Sequence, residues 1–96
     1  MFILVTYDVN ITSDGGKRRL RKIAKECENY GIRVQNSVFE CEITNAKWVE
    51  VKDKLLKIID VNLDSLRFYY IGDKNNKKIE HYGNKEVIDV SEPLVI

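Results

Sequence analysis

The sequence is short of several things that whole classes of protein depend on. It has two cysteines, Cys27 and Cys41, both in segments of apolar periodicity. Two at that spacing make neither a disulfide framework nor a zinc site, so both are expected as reduced core residues of an intracellular protein. No stretch approaches the ~20 consecutive apolar residues that a membrane-spanning helix needs. The N-terminal residues lack the basic leader and cleavage region of a secretory signal, and the expectation is a soluble, cytoplasmic protein with no membrane contact. The one histidine, His81, sits in a polar outer segment, a poor position for a general base. The formal net charge is +1, so the chain is no polycation, and any nucleic-acid binding has to come from how its charge is distributed. There is no repeat, linker or low-complexity segment. Ninety-six residues predict one domain, 1–96, with a single core burying roughly two-thirds of the unfolded chain's surface.

What is present begins with a strand. Met1 to Asp8 is an unbroken run of strand formers that ends in a carboxylate. Its alternating sets, Phe2, Leu4, Thr6 and Asp8 on one side and Ile3, Val5 and Tyr7 on the other, are both largely apolar, which predicts a central strand covered on both faces. On the residues alone Asp8 reads first as a turn carboxylate bonded to its own backbone, and second as an acid presented for chemistry at a sheet edge. A loop follows over residues 9–16, with Thr12, Ser13 and Asp14 all competent to cap the next helix. That helix has Leu20, Ile23, Ala24, Cys27 and Tyr30 on one face and Gly31 as its stop. Its other face collects Lys17, Arg18, Arg19, Arg21, Lys22 and Lys25 with no acid among them. Cations at a helix start oppose the dipole, at up to ~1 kcal/mol each when exposed, so this placement points to a use for positive charge on phosphates.

Residues 32–43 read as strand, but the alternation slips between Val34 and Val38 on one parity and Phe39, Cys41 and Ile43 on the other. A bulge or bend near Asn36 and Ser37 would produce the slip, making one bent strand or two short ones. Thr44 or Asn45 caps a second helix carrying Trp48, Val51, Leu55 and Ile58. Residues 65–71 form a strand, 72–76 a turn, and 78–82 and 86–90 short outer strands around a turn at Gly83 and Asn84. The segment 91–93 ends the pattern, and Leu94, Val95 and Ile96 make an apolar tail. This order predicts an α+β fold, a ferredoxin-like split βαβ sandwich with an antiparallel sheet and both helices on one face. One layer of helices covers one side of a sheet. The second side, assigned to Ile3, Val5, Tyr7, Tyr69 and Ile71, is too apolar to stay wet at roughly 25 cal/mol per Å² buried. A homodimer with sheet facing sheet follows, the C-terminal segment of about 78–96 reaching across.

The opening FILVTYDV, the basic first helix and the later RVQNSVFE resemble the CRISPR-associated protein 2 family, over essentially the whole chain, and the run ENYGIRVQNSVFEC is most similar to the branch found in type I-C systems. The resemblance implies a ferredoxin-like symmetric dimer in antiviral defence. It implies that Asp8 pairs with its symmetry mate as the catalytic residue and binds a divalent metal, Mg²⁺ or Mn²⁺. It further implies endonuclease activity on RNA or duplex DNA, and partnership with the CRISPR spacer integrase as a DNA-binding scaffold. Tyr7, Arg19 (or Arg18), Arg33 and Phe39 match positions that the family uses around the site.

The residue types suit such chemistry. Mg²⁺ keeps several waters and binds through one or two carboxylates, and a pair of Asp8 side chains would repel one another without a cation or shared proton between them. Arginines 18, 19 and 33 offer forks for phosphate oxygens. Ser37 is a candidate to position water or phosphate, although a strand hydroxyl is more often structural, and Phe39 reads more readily as core than as a base-stacking platform. One carboxylate per chain is a thin inventory for a nuclease; Asp14 and Glu40, the next nearest acids, read as cap and surface. Three readings therefore stand: a metal-dependent endonuclease, a non-catalytic DNA-binding scaffold of the integration complex, and a toxin-like ribonuclease of the same fold.

Overall fold

The computed structural model describes residues 1–72 and 78–84. Most of the expected turn at 72–76, the second outer strand at 86–90 and the tail at 94–96 lie outside the described residues. The elements are β1 (Phe2–Asp8), α1 (Gly16–Glu28), β2 (Gly31–Gln35), β3 (Val38–Glu42), α2 (Asn45–Ile58), β4 (Ser65–Ile71) and β5 (Ile79–Gly83). The strands form one antiparallel sheet in the order β2-β3-β1-β4-β5. β3 lies between β1 and β2, as a split βαβ unit requires, and the chain has the expected ferredoxin-like α+β architecture, with β5 added beside β4.

Local chemistry explains most element boundaries. The hydroxyl of Thr44 caps α2 by accepting from the Lys47 amide at 3.2 Å. The slip in the 32–43 segment resolves into two strands, with a turn at Asn36 and Ser37 and a register shift between Arg33 and Gln35. The first helix departs from expectation at both ends. None of Thr12, Ser13 and Asp14 caps it; the N-cap is Gly15, in the left-handed region at φ 74°, with no side-chain cap. The helix stops at Glu28, and Gly31 opens β2 instead of closing α1.

The core corrects the assignment of the two sheet faces. Ile3, Val5 and Tyr7 do not face away from the helices: they lie beneath them, with Phe39, Cys41, Leu66 and Phe68 on the same face and Ile23, Cys27, Trp48, Val51 and Leu55 above. Trp48 meets Phe68 edge to face, with centroids 4.8 Å apart, and its indole N–H donates to the Tyr70 hydroxyl at 3.0 Å. The uncovered face is the Phe2, Leu4, Thr6, Asp8 side of β1. Register places Leu4 between Glu40 and Tyr69, Thr6 between Val38 and Arg67, and Phe2 between Glu42 and Ile71. Leu4 and Arg67 are buried on that side, whereas Phe2 and Ile71 are about half exposed. No helix among the described residues is long and apolar enough to cross a membrane.

Candidate functional site

Asp8 is the last residue of β1 and is exposed at the strand's end, on the face without helices. It stands opposite Ser65, the first residue of β4. Just beyond the strand, Asn10 organises the connection to α1. Its side-chain oxygen accepts from the Thr12 amide at 3.1 Å and the Thr12 hydroxyl at 2.7 Å, and its carbonyl accepts from the Ser13 hydroxyl at 2.6 Å. Gly16 is pressed against this loop so closely that a Cβ there would lie 2.1 Å from the Asn10 carbonyl oxygen. The start of α1 is thereby packed onto the loop that Asp8 opens, a short way along the chain from the carboxylate.

The exposed side of α1 carries Lys17, Arg18, Arg21, Lys22 and Lys25, and its first turn contains no acid. Arg19 behaves differently. Its guanidinium makes a fork to Asp64, Nε to Oδ2 at 2.7 Å and Nη2 to Oδ1 at 3.2 Å. Nη1 also donates to the Asp14 carbonyl at 2.9 Å, and Nη2 to the Ser13 hydroxyl at 2.8 Å. The side chain offered as a phosphate ligand is turned back into the fold, and Arg18 is the exposed member of the pair. The hydrogen bond to Asp64 raises the Arg19 pKa further. Burial pushes the Asp64 carboxyl up, but donors from Arg19 and from the Asp60 and Asn10 amides outweigh it and hold the group below its ordinary value.

Tyr7 and Phe39 are buried on the helix side of the sheet, with rings 6.3 Å apart and 20° from parallel; Phe39 is the core residue its sequence reading preferred, and Tyr7 joins it there. Burial pushes the Tyr7 phenol up to about 12, so it stays protonated near neutral pH. Arg33 lies over the Phe39 ring at 5.1 Å and bonds Glu28 at 3.0 Å, with both charged groups about half exposed. Such a pair is exchangeable in water. The Ser37 carbonyl accepts from the Tyr7 amide at 3.1 Å, which ties the β2–β3 turn to the end of β1. His81 faces Arg67, whose Nε and Nη2 lie 3.2 and 3.0 Å from its Nδ1. Burial raises the Cys27 thiol to about 12 and the Cys41 thiol to about 11, which removes the thiolate form that a nucleophile or metal ligand requires.

A cavity of about 250 Å³ is lined by Asp8, Asn10, Leu63, Asp64, Ser65 and Asn84. A larger cleft of about 1040 Å³ includes Phe2 and Ile71, at the other end of β1 and β4, and is remote from this chemistry. No group of three or more His, Cys, Asp and Glu side chains within metal-binding reach occurs among the described residues. Sequence reasoning does not single out Asp64 as a site residue, because nothing in the chain distinguishes a buried acid before a strand from a turn acid. Of the two carboxylates on the cavity among the described residues, Asp64 is committed to Arg19, which leaves Asp8 as the candidate metal ligand. One carboxylate per chain fits a hard cation that keeps most of its waters, if a second chain brings another.

A model of the family described as CRISPR associated protein Cas2 matches residues 1–79. The chain is 52% identical over 96 residues to a protein of Chlorobaculum tepidum named CRISPR-associated endoribonuclease Cas2, covering 100% of both chains. It is 50% identical over 95 residues to a protein of Halalkalibacterium halodurans named CRISPR-associated endonuclease Cas2, covering 99% of each. Among solved structures, Streptococcus pyogenes Cas2 is 56% identical, with a TM-score of 0.70 over 75% of this chain and 87% of that one.

Proposed function

The chain belongs to the Cas2 family of CRISPR-associated proteins, and from that premise we propose that it is a homodimeric, metal-dependent endonuclease of CRISPR adaptation with Asp8 as its catalytic carboxylate. The observation that carries the reading is the placement of Asp8: an exposed carboxylate at the end of the central strand, on the face that a second copy would cover. The relatives' names divide between endoribonuclease and endonuclease, and the substrate class is accordingly the phosphodiester backbone of duplex DNA or RNA.

Each residue has a physical part in this scheme. Asp8 would hold Mg²⁺ or Mn²⁺, which when bound supplies positive charge for a phosphodiester and acidity for a bound water. Arg18 and Arg21 on α1 attract the backbone and hold phosphate oxygens through their forks. Arg33 can exchange Glu28 for phosphate at little cost, since their ion pair is exposed. Chelation with EDTA should stop cleavage of labelled duplex DNA or RNA, and added Mg²⁺ or Mn²⁺ should restore it. Cutting that persists in EDTA would refute the metal requirement.

A second reading, a DNA-binding scaffold for the spacer integrase, is favoured by a specific observation. Among the described residues each chain brings one carboxylate to the cavity besides Asp64, which Arg19 holds, whereas α1 presents Lys17, Arg18, Arg21, Lys22 and Lys25 with no acid before Glu26. Such a surface grips the backbone without reading sequence. Spacer acquisition that continues undiminished in Asp8→Ala cells would make this the physiological role.

A further inference from the structure

We infer that Arg19 and Asp64 are a positioning pair that sets where Asp8 is presented, and that Arg19 is not a phosphate contact. The inference rests on the assignment of Asp8 as the cleaving carboxylate. Its own support is the set of bonds that converge on Asp64. This acid is 1% exposed and precedes Ser65, the residue opposite Asp8. Its Oδ1 accepts the Asn10 amide at 3.0 Å, two residues past Asp8, and its Oδ2 accepts the Asp60 amide at 2.9 Å. Both oxygens also take the Arg19 fork. On the backbone side, the Asp64 carbonyl accepts the Asn84 amide at 3.1 Å, and a Cβ on Gly83 would lie 2.1 Å from that oxygen. One residue therefore joins the exit of β1, the start of α1, the approach to β4 and the end of β5.

Pairing with Ser65 holds the last residue of β1, and the Asn10–Asp64 bond fixes the chain just past it. Arg19 supplies the charge that keeps Asp64 ionised as an acceptor, and its bonds to Asp14 and Ser13 fasten the rest of the loop. A guanidinium with four such bonds would have to abandon a buried carboxylate to reach phosphate, leaving that charge without its cation. Displacement of a catalytic carboxylate by about 1 Å is enough to cost ~100-fold in rate.

The test compares full-length wild type with Arg19→Gln, Arg19→Lys, Asp64→Asn and the Arg19→Gln/Asp64→Asn double variant. Duplex-DNA affinity is measured in EDTA across a salt series, and cleavage kinetics are measured with Mg²⁺. The expectation is that each single variant lowers kcat about 10–100-fold while KM and the salt slope hold, and that the double variant is no worse than the singles. Arg19→Lys retains charge and fold but loses the fork, and should show the same kcat loss. A fall of about 0.9 in the salt slope for Arg19→Gln, the signature of one fewer neutralised phosphate, or wild-type kcat in Asp64→Asn, would overturn the inference. If wild type itself cuts nothing, it is the nuclease reading that fails, and exchange of the Asn10 amide decides the pair. Faster exchange in Arg19→Lys and Asp64→Asn than in wild type upholds positioning; exchange as fast in wild type as in the variants overturns it.

Discussion

Asp8 lies directly opposite Ser65 in the β1–β4 ladder, and the buried Asp64 just before Ser65 binds the chain just after Asp8. The exposed Asp8 and the buried Asp64 are thus neighbours, one closing β1 and the other immediately preceding β4. One is exposed at the sheet's end, and the other is enclosed by donors that keep it charged.

Asp64 makes folding stability depend on acid. Its pKa is lowered in the folded chain from an ordinary value of 3.8, so its contribution is complete above that value and is lost as pH falls through the lower folded value. The urea midpoint of wild type should fall more steeply than that of Asp64→Asn as pH drops below about 4. Parallel profiles for the two proteins would contradict the ion pair.

Tyr7 and Phe39 are expected to matter for folding and not for nucleic-acid binding. Phe39→Ala should destabilise the chain by ~3–5 kcal/mol in urea titrations, the range for deleting a buried aromatic ring. Tyr7→Phe removes only a long hydrogen bond to the Asn36 carbonyl, at 3.4 Å, and should leave DNA affinity unchanged. Weakened binding by Tyr7→Phe would mean that the phenol reaches the ligand.

The basic helix face should account for the salt dependence of binding. Arg18→Glu and Arg21→Glu should each weaken duplex affinity and flatten the plot of log affinity against log salt, by about 0.9 for each phosphate no longer neutralised. An affinity insensitive to salt in the wild type would remove this role from α1.

Phe2 and Ile71 are paired in register on the uncovered face, 43% and 52% exposed in the single chain. Their burial between two copies is what the proposed dimer requires, and Phe2→Glu or Ile71→Glu should shift sedimentation toward monomer. A wild type that sediments as a monomer at every concentration would contradict the dimer itself.

The fold is legible in the sequence because its periodicities are strong: helix faces at Leu20, Ile23 and Cys27, a capping Thr44, and apolar strands over 1–8 and 65–71. The side of β1 that faces the helices is not legible. Both of its alternating sets are apolar, and period alone cannot say which of two apolar faces receives the helices. The same limit applies to the arginines. Arg18 and Arg19 are adjacent and alike in sequence, and what separates them is Asp64, 45 residues beyond Arg19. The α1 cap is obscured for a local reason. Three good capping side chains precede the helix, but Ser13 bonds Asn10 and Arg19 instead, and a left-handed Gly15 makes the entry. The run before Asp8 shows that a strand ends in a carboxylate, but a turn acid and a presented acid look alike there, and the residues alone favour the turn.

The most direct test of the central claim is metal-dependent cleavage of labelled duplex DNA and RNA by purified wild type and Asp8→Ala, each first verified as a folded protein of the same oligomeric state. Because Asp8 is exposed and outside the core, the substitution should leave fold and assembly intact and abolish cutting in Mg²⁺ or Mn²⁺. An Asp8→Ala protein that cuts at the wild-type rate would contradict the assignment of Asp8 as the catalytic carboxylate.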